Sequence, residues 1–249
     1  MAELEVKVST YSTSLAGVHV SIAVEQLKRS LPYARKLPGT TLLEDTLIWR
    51  ASISGVLHSF CAVESMVNYV AHQMFHNPDS ARYVGATLAP SLRQLLKFWD
   101  RMGVVDRVGV LLSESGAPPL PAPLENNLRE LNTLRNWIAH GLTFTTTHLE
   151  EIVRPDEQTT SFTTHDIEDS VDWKKKFPTT KFKAPTRINH VDAVAALTIA
   201  LETLKVILRG TSAIPLLVST FDGEPEIVSL ELGEGIPEFL ARFGVVLPP

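Results

Sequence analysis

The residues best suited to chemistry in this 249-residue chain stand close together near its middle. His140 can exchange protons near neutral pH, so it suits a general acid or base. Arg135 keeps its charge and presents a planar fork of donors that matches phosphate oxygens. Asn136 adds an amide that would orient His140 or a phosphate. This set fits cleavage of a phosphodiester by a neighbouring 2′-hydroxyl, which needs a proton acceptor, a proton donor and a cation beside the developing phosphorane charge.

A single amphipathic helix is expected to carry these side chains. Its apolar stripe consists of Leu124, Leu128, Leu131, Leu134 and Ile138. Because each helical residue advances about 100°, a polar strip forms on the opposite face, made of Glu125, Arg129, Asn132, Asn136 and His140. Arg135 lies beside the stripe, and Gly141 predicts the helix end. His140 would then stand at a helix C-terminus, where the dipole favours an imidazolium.

The segment Leu134-Arg135-Asn136-Trp137-Ile138-Ala139-His140-Gly141 resembles the signature of the HEPN superfamily: an Arg, a polar residue, a short spacer and a His. The segment from Phe60 to Asn68 is similar to the long helix that precedes the motif helix in that family. The resemblance covers Asp45 to His140 and extends to the helix Val191 to Leu208.

The resemblance implies an antiparallel helical bundle that cleaves RNA without a metal or cofactor, in a cleft where two motif helices meet across a homodimer. It assigns catalysis to Arg135, Asn136 and His140, with Arg135 stabilising the transition state. Arg129 and Asn132 are then expected to bind RNA. Glu64, which flanks both faces of the long helix, would support the active site in the dimer.

One departure from the family concerns control of the activity. Some members paired with nucleotidyltransferase antitoxins carry a Tyr two residues after the motif His, and modification of that Tyr silences them. This chain has Leu142 there, and it lacks the Gly-Ser and paired-aspartate pattern of a fused nucleotidyltransferase. The resemblance suggests that this chain is a toxin, a phage-defence factor or a stress factor. Any antitoxin or other regulator would be a separate protein.

Two other interpretations of the motif remain open. Arg135 and His140 are also typical of an ordinary helix end, where cations meet the dipole and bond to terminal carbonyls. Alternatively, the fold is present without catalysis, and the polar strip serves dimerisation or the binding of RNA or nucleotide. The formal net charge of −5 favours binding alone over catalysis.

A basic run follows the motif helix. It contains Lys174, Lys175, Lys176, Lys181 and Lys183. Phe177 and Phe182 are interleaved with these lysines, a mixture that can contact phosphates and stack on unpaired bases. A solvated loop explains the same composition, and we favour that interpretation.

His72 and His76 have the spacing of a helical zinc pair. Residue 73 is not Glu, and the sequence offers no clear third ligand. We therefore expect no metal site.

The elements that would position the motif are helices. The strongest pattern runs from Asp45 to Phe75, where apolar residues recur in steps of three and four. Its members are Trp49, Ile53, Val56, Phe60, Val63, Val67, Val70 and Met74. Further helices are predicted from Gly17 to Lys36, from Ala89 to Met102 and from an N-cap at Asn189 to Gly210.

The chain therefore divides into a strand-and-helix appendage at 1–40, a helical bundle at 41–210 and a C-terminal hairpin with a short helix at 211–249. The bundle carries an inserted hairpin and basic loop at about 143–188, with its turn at Arg154-Pro155-Asp156. The predicted fold class is mainly α with small β-hairpin decorations.

Composition limits the protein class. With 44% hydrophobic and 20% charged residues, the chain matches globular proteins. The net charge argues against coating a nucleic acid over the whole surface. Cys61, the single cysteine, cannot form an intramolecular disulfide and is interpreted as a buried apolar residue. Met1 to Thr10 lacks a signal-peptide core, and charges interrupt the apolar stretch from Val191 to Leu208. We expect a cytoplasmic protein without a membrane span.

Overall fold

A computed structural model shows a mainly helical bundle decorated with two antiparallel hairpins. The structure describes residues 14–34, 42–77, 79, 85, 87–140, 147–156, 159–168, 180, 182, 188–211, 216–219 and 227–246. The predicted mainly α fold class is thereby confirmed. The predicted N-terminal strand and the predicted boundary at residue 40 lie outside the described residues.

Seven α-helices occur in the described part of the chain. They are α1 (Ala16–Ala34), α2 (Leu42–Ala71), α3 (Pro90–Leu96), α4 (Val104–Glu114), α5 (Ala122–Ala139), α6 (His190–Thr211) and α7 (Ile236–Ala241). A π-helical turn, His72–His76, extends α2, and a 3-10 turn, Trp99–Arg101, follows α3. One hydrophobic core joins α1, α2, α4, α5, α6, α7 and the C-terminal hairpin.

The long helix α2 confirms the strongest sequence pattern. Val56, Phe60, Val63 and Val67 are fully buried, as a continuous apolar stripe requires. Trp49 was wrongly placed in this core: it is 40% exposed. Among the described side chains of α2, Leu47 to Arg50 are exposed or half-buried, and Ala51 is the first that is buried.

Helix α6 passes through the centre of the bundle and packs against α1, α2, α4 and α5. Ile199 and Ile207 are both buried, so the helix is covered on two sides. Its N-cap is Asn189, as predicted. The Asn189 side-chain oxygen accepts from the Val191 N–H at 2.9 Å, and Asp192 accepts from the Asn189 N–H at 3.0 Å. These reciprocal bonds satisfy donors that a helix start leaves unpaired.

The prediction of one helix from Ala89 to Met102 was wrong in extent. The chain forms α3 and then the tighter 3-10 turn Trp99–Arg101. Helix α4 was not predicted, although its buried residues have helical spacing. They are Val104, Val105, Arg107, Val108, Leu111 and Leu112.

The inserted hairpin consists of β1 (Thr147–Asp156) and β2 (Thr159–Glu168), paired antiparallel. The turn was predicted at Arg154-Pro155-Asp156. This prediction was wrong, because Asp156 still pairs with Thr159. The ladder is irregular between Val153 and Asp156. Proline lacks an N–H for the ladder and is accommodated at such irregularities.

The C-terminal segment forms the predicted hairpin, β3 (Leu217–Ser219) with β4 (Ile227–Ser229), followed by α7. The Ser21 hydroxyl of α1 donates to the Ser219 carbonyl at 2.8 Å and accepts from the Ser219 N–H at 3.0 Å. These bonds attach the hairpin to the first helix. None of the helices described here combines the length and apolarity needed to cross a membrane.

Candidate functional site

The motif helix α5 has the amphipathic arrangement that its sequence predicts. Leu128, Leu131 and Leu134 are fully buried, and the polar residues therefore face away from the core. His140 is the C-cap residue, and its backbone N–H donates to the Asn136 carbonyl at 3.0 Å. The predicted position of His140 at a helix C-terminus is confirmed, whereas Gly141 lies outside the described residues.

Arg135 lies between α5 and α2. Its guanidinium stands over the Phe60 ring, 4.2 Å from the ring centroid, and this contact is a cation–π interaction. Nη2 donates to Glu64 Oε2 at 3.3 Å, and Nη1 donates to Asn136 Oδ1 at 2.8 Å. With 22% of its side chain exposed, Arg135 is held in a defined orientation but still reaches the surface. Asn136 thus orients Arg135, and within the described residues it makes no side-chain bond to His140.

Glu64 bridges two arginines. Its second carboxylate oxygen accepts from Arg107 Nη2 at 2.7 Å. The sequence suggested that Glu64 supports the site in a dimer, and the structure brings it to Arg135 within one chain. Arg107, Glu64 and Arg135 together form an arginine cluster. Because its two guanidinium groups share one carboxylate, this cluster keeps a net positive charge.

Arg107 on α4 is the residue of this cluster that the sequence interpretation missed. It is 5% exposed. Its Nη1 donates to Asn68 Oδ1 at 2.6 Å, and the same oxygen accepts from Trp99 Nε1 at 3.2 Å. The signal was an arginine within an apolar stripe, between Val104 and Leu111. A buried charge at such a position requires a partner of opposite sign.

His140, the C-cap residue of α5, takes no part in the hydrogen bonds described for this cluster. It is exposed, and within the described part of the chain its imidazole makes no hydrogen bond or ion pair. Arg135, by contrast, is directed against Phe60 and Glu64 of α2. A single copy therefore supplies an oriented cation and an accessible proton carrier without bonding them to each other.

The residues proposed to bind RNA have mixed surroundings. Arg129 is exposed but already pairs with Glu125 at 2.8 Å and with Asp106 at 3.5 Å. Hydrogen bonding by Glu125 raises the pKa of Arg129, against the smaller opposing effect of burial. Asn132 is half-buried on the same helix. Two carboxylates reduce the attraction that Arg129 can exert on a phosphate.

Of the segment that holds the basic run, the structure describes only Thr180 and Phe182. Lys174, Lys175, Lys176, Lys181 and Lys183 lie outside the described residues, as does Phe177. Phe182 is 5% exposed and belongs to the hydrophobic core. Both interpretations of the run are wrong for Phe182, base stacking and a solvated loop, because its side chain is buried in the core.

The rings of His72 and His76 stack with centroids 6.5 Å apart. Among the described residues, no three His, Cys, Asp or Glu side chains form a group that could hold a metal ion.

Cys61 borders the arginine cluster. It is half-buried rather than fully buried, which corrects the sequence interpretation. Desolvation raises the pKa of its thiol, and the negative charge of Glu64 raises it further. Arg135 acts in the opposite direction by stabilising a thiolate. The pKa of Cys61 therefore depends on both members of the Glu64–Arg135 pair.

Comparisons with known proteins found no protein-family model, curated protein or solved structure that matches this chain.

Proposed function

We propose that this chain is a metal-independent endoribonuclease of the HEPN type, in which Arg135 and His140 are catalytic. The observation that carries the proposal is the state of Arg135, a half-buried cation oriented by Glu64, Asn136 and Phe60. Oriented donors stabilise transition-state charge more effectively than mobile ones, because they need not reorganise during the reaction. The resemblance of residues 134–141 to the family signature supplies the reaction class.

In the proposed reaction, a ribose 2′-oxygen attacks the adjacent phosphorus and the bond from phosphorus to the 5′-oxygen breaks. A base removes the proton of the 2′-hydroxyl, and an acid protonates the departing 5′-oxygen. His140 carries out one of these transfers, and Arg135 stabilises the negative charge on the phosphorane oxygens. The products are a 2′,3′-cyclic phosphate and a free 5′-hydroxyl.

The proposed assembly is a homodimer with its cleft between two copies of α5. The exposure of His140 supports this arrangement, because its imidazole is available to a second copy. The RNA would then meet the motif residues of both chains. The family resemblance suggests the role of a toxin, a phage-defence factor or a stress factor. Any regulator would be a separate protein.

The second candidate is a non-catalytic module that uses the same helices for dimerisation or for binding RNA or nucleotide. It is favoured by the carboxylates that already pair with Arg135 and Arg129, together with the net charge of −5. In that case the polar strip of α5 would form the contact surface, and neither Arg135 nor His140 would be catalytic.

The deciding experiment incubates purified full-length protein with total RNA in EDTA. Wild type is compared with His140→Ala and with His76→Ala, which removes another exposed histidine. We expect wild type and His76→Ala to produce fragments with 2′,3′-cyclic phosphate ends, and His140→Ala to leave the RNA intact. Intact RNA with wild type, or equal cleavage by His140→Ala, would refute the enzymatic proposal.

A further inference from the structure

The side chain that fixes Glu64 is Arg107, which lies on α4 rather than on the motif helix α5. Arg107 donates to Glu64 Oε1 at 2.7 Å and to Asn68 Oδ1 at 2.6 Å. These two acceptors lie one helical turn apart on α2, so one planar guanidinium spans both. The position of Arg107 is thereby set relative to α2.

Burial makes this contact persistent. Arg107 has 6% of its side chain exposed, against 33% for Glu64 and 22% for Arg135. A guanidinium does not lose its proton in a protein, so a buried one must keep a partner of opposite charge. Trp99 adds a second constraint, since its ring lies 5.9 Å from the Arg107 guanidinium and its Nε1 bonds to Asn68.

The effect reaches Arg135 through the second oxygen of the same carboxylate. A glutamate anchored at one oxygen can offer the other in only a narrow range of directions. Glu64 Oε2 accepts from Arg135 Nη2 at 3.3 Å, while Phe60 supports the face of the guanidinium. Arg107 and Arg135 do not compete for Glu64, because each is bonded to a different oxygen.

From this chain of contacts we propose that Arg107 is a positioning residue, which orients the Arg135 guanidinium by fixing the carboxylate of Glu64. The inference rests on the proposed function insofar as Arg135 acts on RNA. The contact itself does not depend on catalysis.

Arg135 Nε provides a direct readout. This atom is buried and has no hydrogen-bond partner among the described residues, so its proton is protected by packing rather than by a bond. The exchange of the Arg135 Nε–Hε proton with water, followed by nuclear magnetic resonance, therefore reports how firmly the guanidinium is held. The resonance is assigned by its loss in Arg135→Lys.

The test compares full-length wild type with Arg107→Met, Arg107→Lys and Arg29→Met. Arg29 is the matched control, because it also pairs with a glutamate but is 63% exposed on α1. In Arg107→Met we expect exchange to be about tenfold faster and kcat/KM for RNA to fall between about tenfold and 100-fold. Arg107→Lys should restore both in part, since an ammonium keeps the charge but not the planar fork. Arg29→Met should match wild type.

Asn68→Ala carries the test if Arg107→Met does not fold. This variant removes one acceptor of Arg107 and leaves the hydrogen-bond partners of Arg135 in place. The exchange of the Arg135 Nε–Hε proton should again become faster than in wild type. Unchanged or slower exchange in the folded variants overturns the positioning role, whatever the RNA result. If exchange changes as expected but wild type leaves RNA intact, the positioning contact stands and the proposed ribonuclease function fails.

Discussion

Glu64 and Arg135 are 71 residues apart in the chain, and their side chains meet at 3.3 Å between α2 and α5. The contact joins the motif helix to the longest helix of the bundle. It is also connected to the interior, because the same carboxylate binds the buried Arg107. The motif arginine is therefore part of a network spanning three helices.

Replacing Glu64 with Gln should destabilise the protein. The amide has one acceptor oxygen in place of the carboxylate's two, and it cannot neutralise Arg107, which would remain buried without an anion. We expect the free energy of unfolding to fall by about 1–3 kcal/mol, the usual cost of an unsatisfied buried polar group. Urea denaturation followed by circular dichroism measures this change.

The control is Glu125→Gln. It breaks the exposed pair with Arg129, whose side chains are 38% and 51% exposed. Such pairs contribute less than about 1 kcal/mol. An equal loss in both variants would contradict the importance of burial at Arg107.

Two glycines should respond oppositely to alanine. A Cβ at Gly17 on α1 would lie 1.8 Å from the Leu217 carbonyl oxygen, so Gly17→Ala must separate α1 from β3 and cost at least about 1–3 kcal/mol. Gly109 on α4 has no atom within 4 Å of such a Cβ. Gly109→Ala should therefore stabilise α4 by about 0.5–1 kcal/mol. Thermal unfolding distinguishes the two, and similar shifts would contradict the close approach of α1 to β3.

The sequence predicted the helices whose pattern is local. In α2 and α5 the apolar spacing alone defines the buried face, and at Asn189 the cap residue marks the helix start. The placement of His140 at the end of α5 followed from the same local pattern. Helical spacing and capping depend on residues a few positions apart, so one sequence is sufficient to detect them.

The arginine cluster could not be predicted in this way. Arg107 and Glu64 are 43 residues apart, and no spacing rule states which acidic residue meets a buried arginine. The apolar stripe of α4 was a usable signal, but the partner depended on how α4 packs on α2. Phe182 shows the reverse error, since a local mixture of Phe and Lys suggested base stacking whereas tertiary packing buries the ring.

We expect a histidine pair to make stability depend on pH. His19 of α1 and His58 of α2 bond through their Nδ1 atoms at 2.9 Å, which requires one nitrogen to be unprotonated. Burial lowers the pKa of both imidazoles, and His58 lowers that of His19 further. The unfolded chain then binds more protons than the folded one, so stability is complete above about pH 6.5 and decreases as the pH falls below it.

We expect His19→Gln to reduce this dependence, because one of the two shifted groups is removed. The measurement is the difference between urea midpoints at about pH 5.5 and about pH 7.5. His76→Gln, which changes an exposed histidine, serves as the control. A pH dependence as steep in His19→Gln as in wild type would show that other groups cause it.

Cys61 offers a chemical test of the charges around Arg135. It is the only cysteine in the chain, so alkylation by iodoacetamide reports on this site alone. The thiolate is the reactive form, and Glu64 raises the pKa of Cys61 whereas Arg135 lowers it. Glu64→Gln should therefore accelerate alkylation near neutral pH, and Arg135→Met should slow it. Glu125→Gln should leave the rate unchanged. Because local opening would accelerate the reaction in both site variants, only opposite changes support the electrostatic explanation.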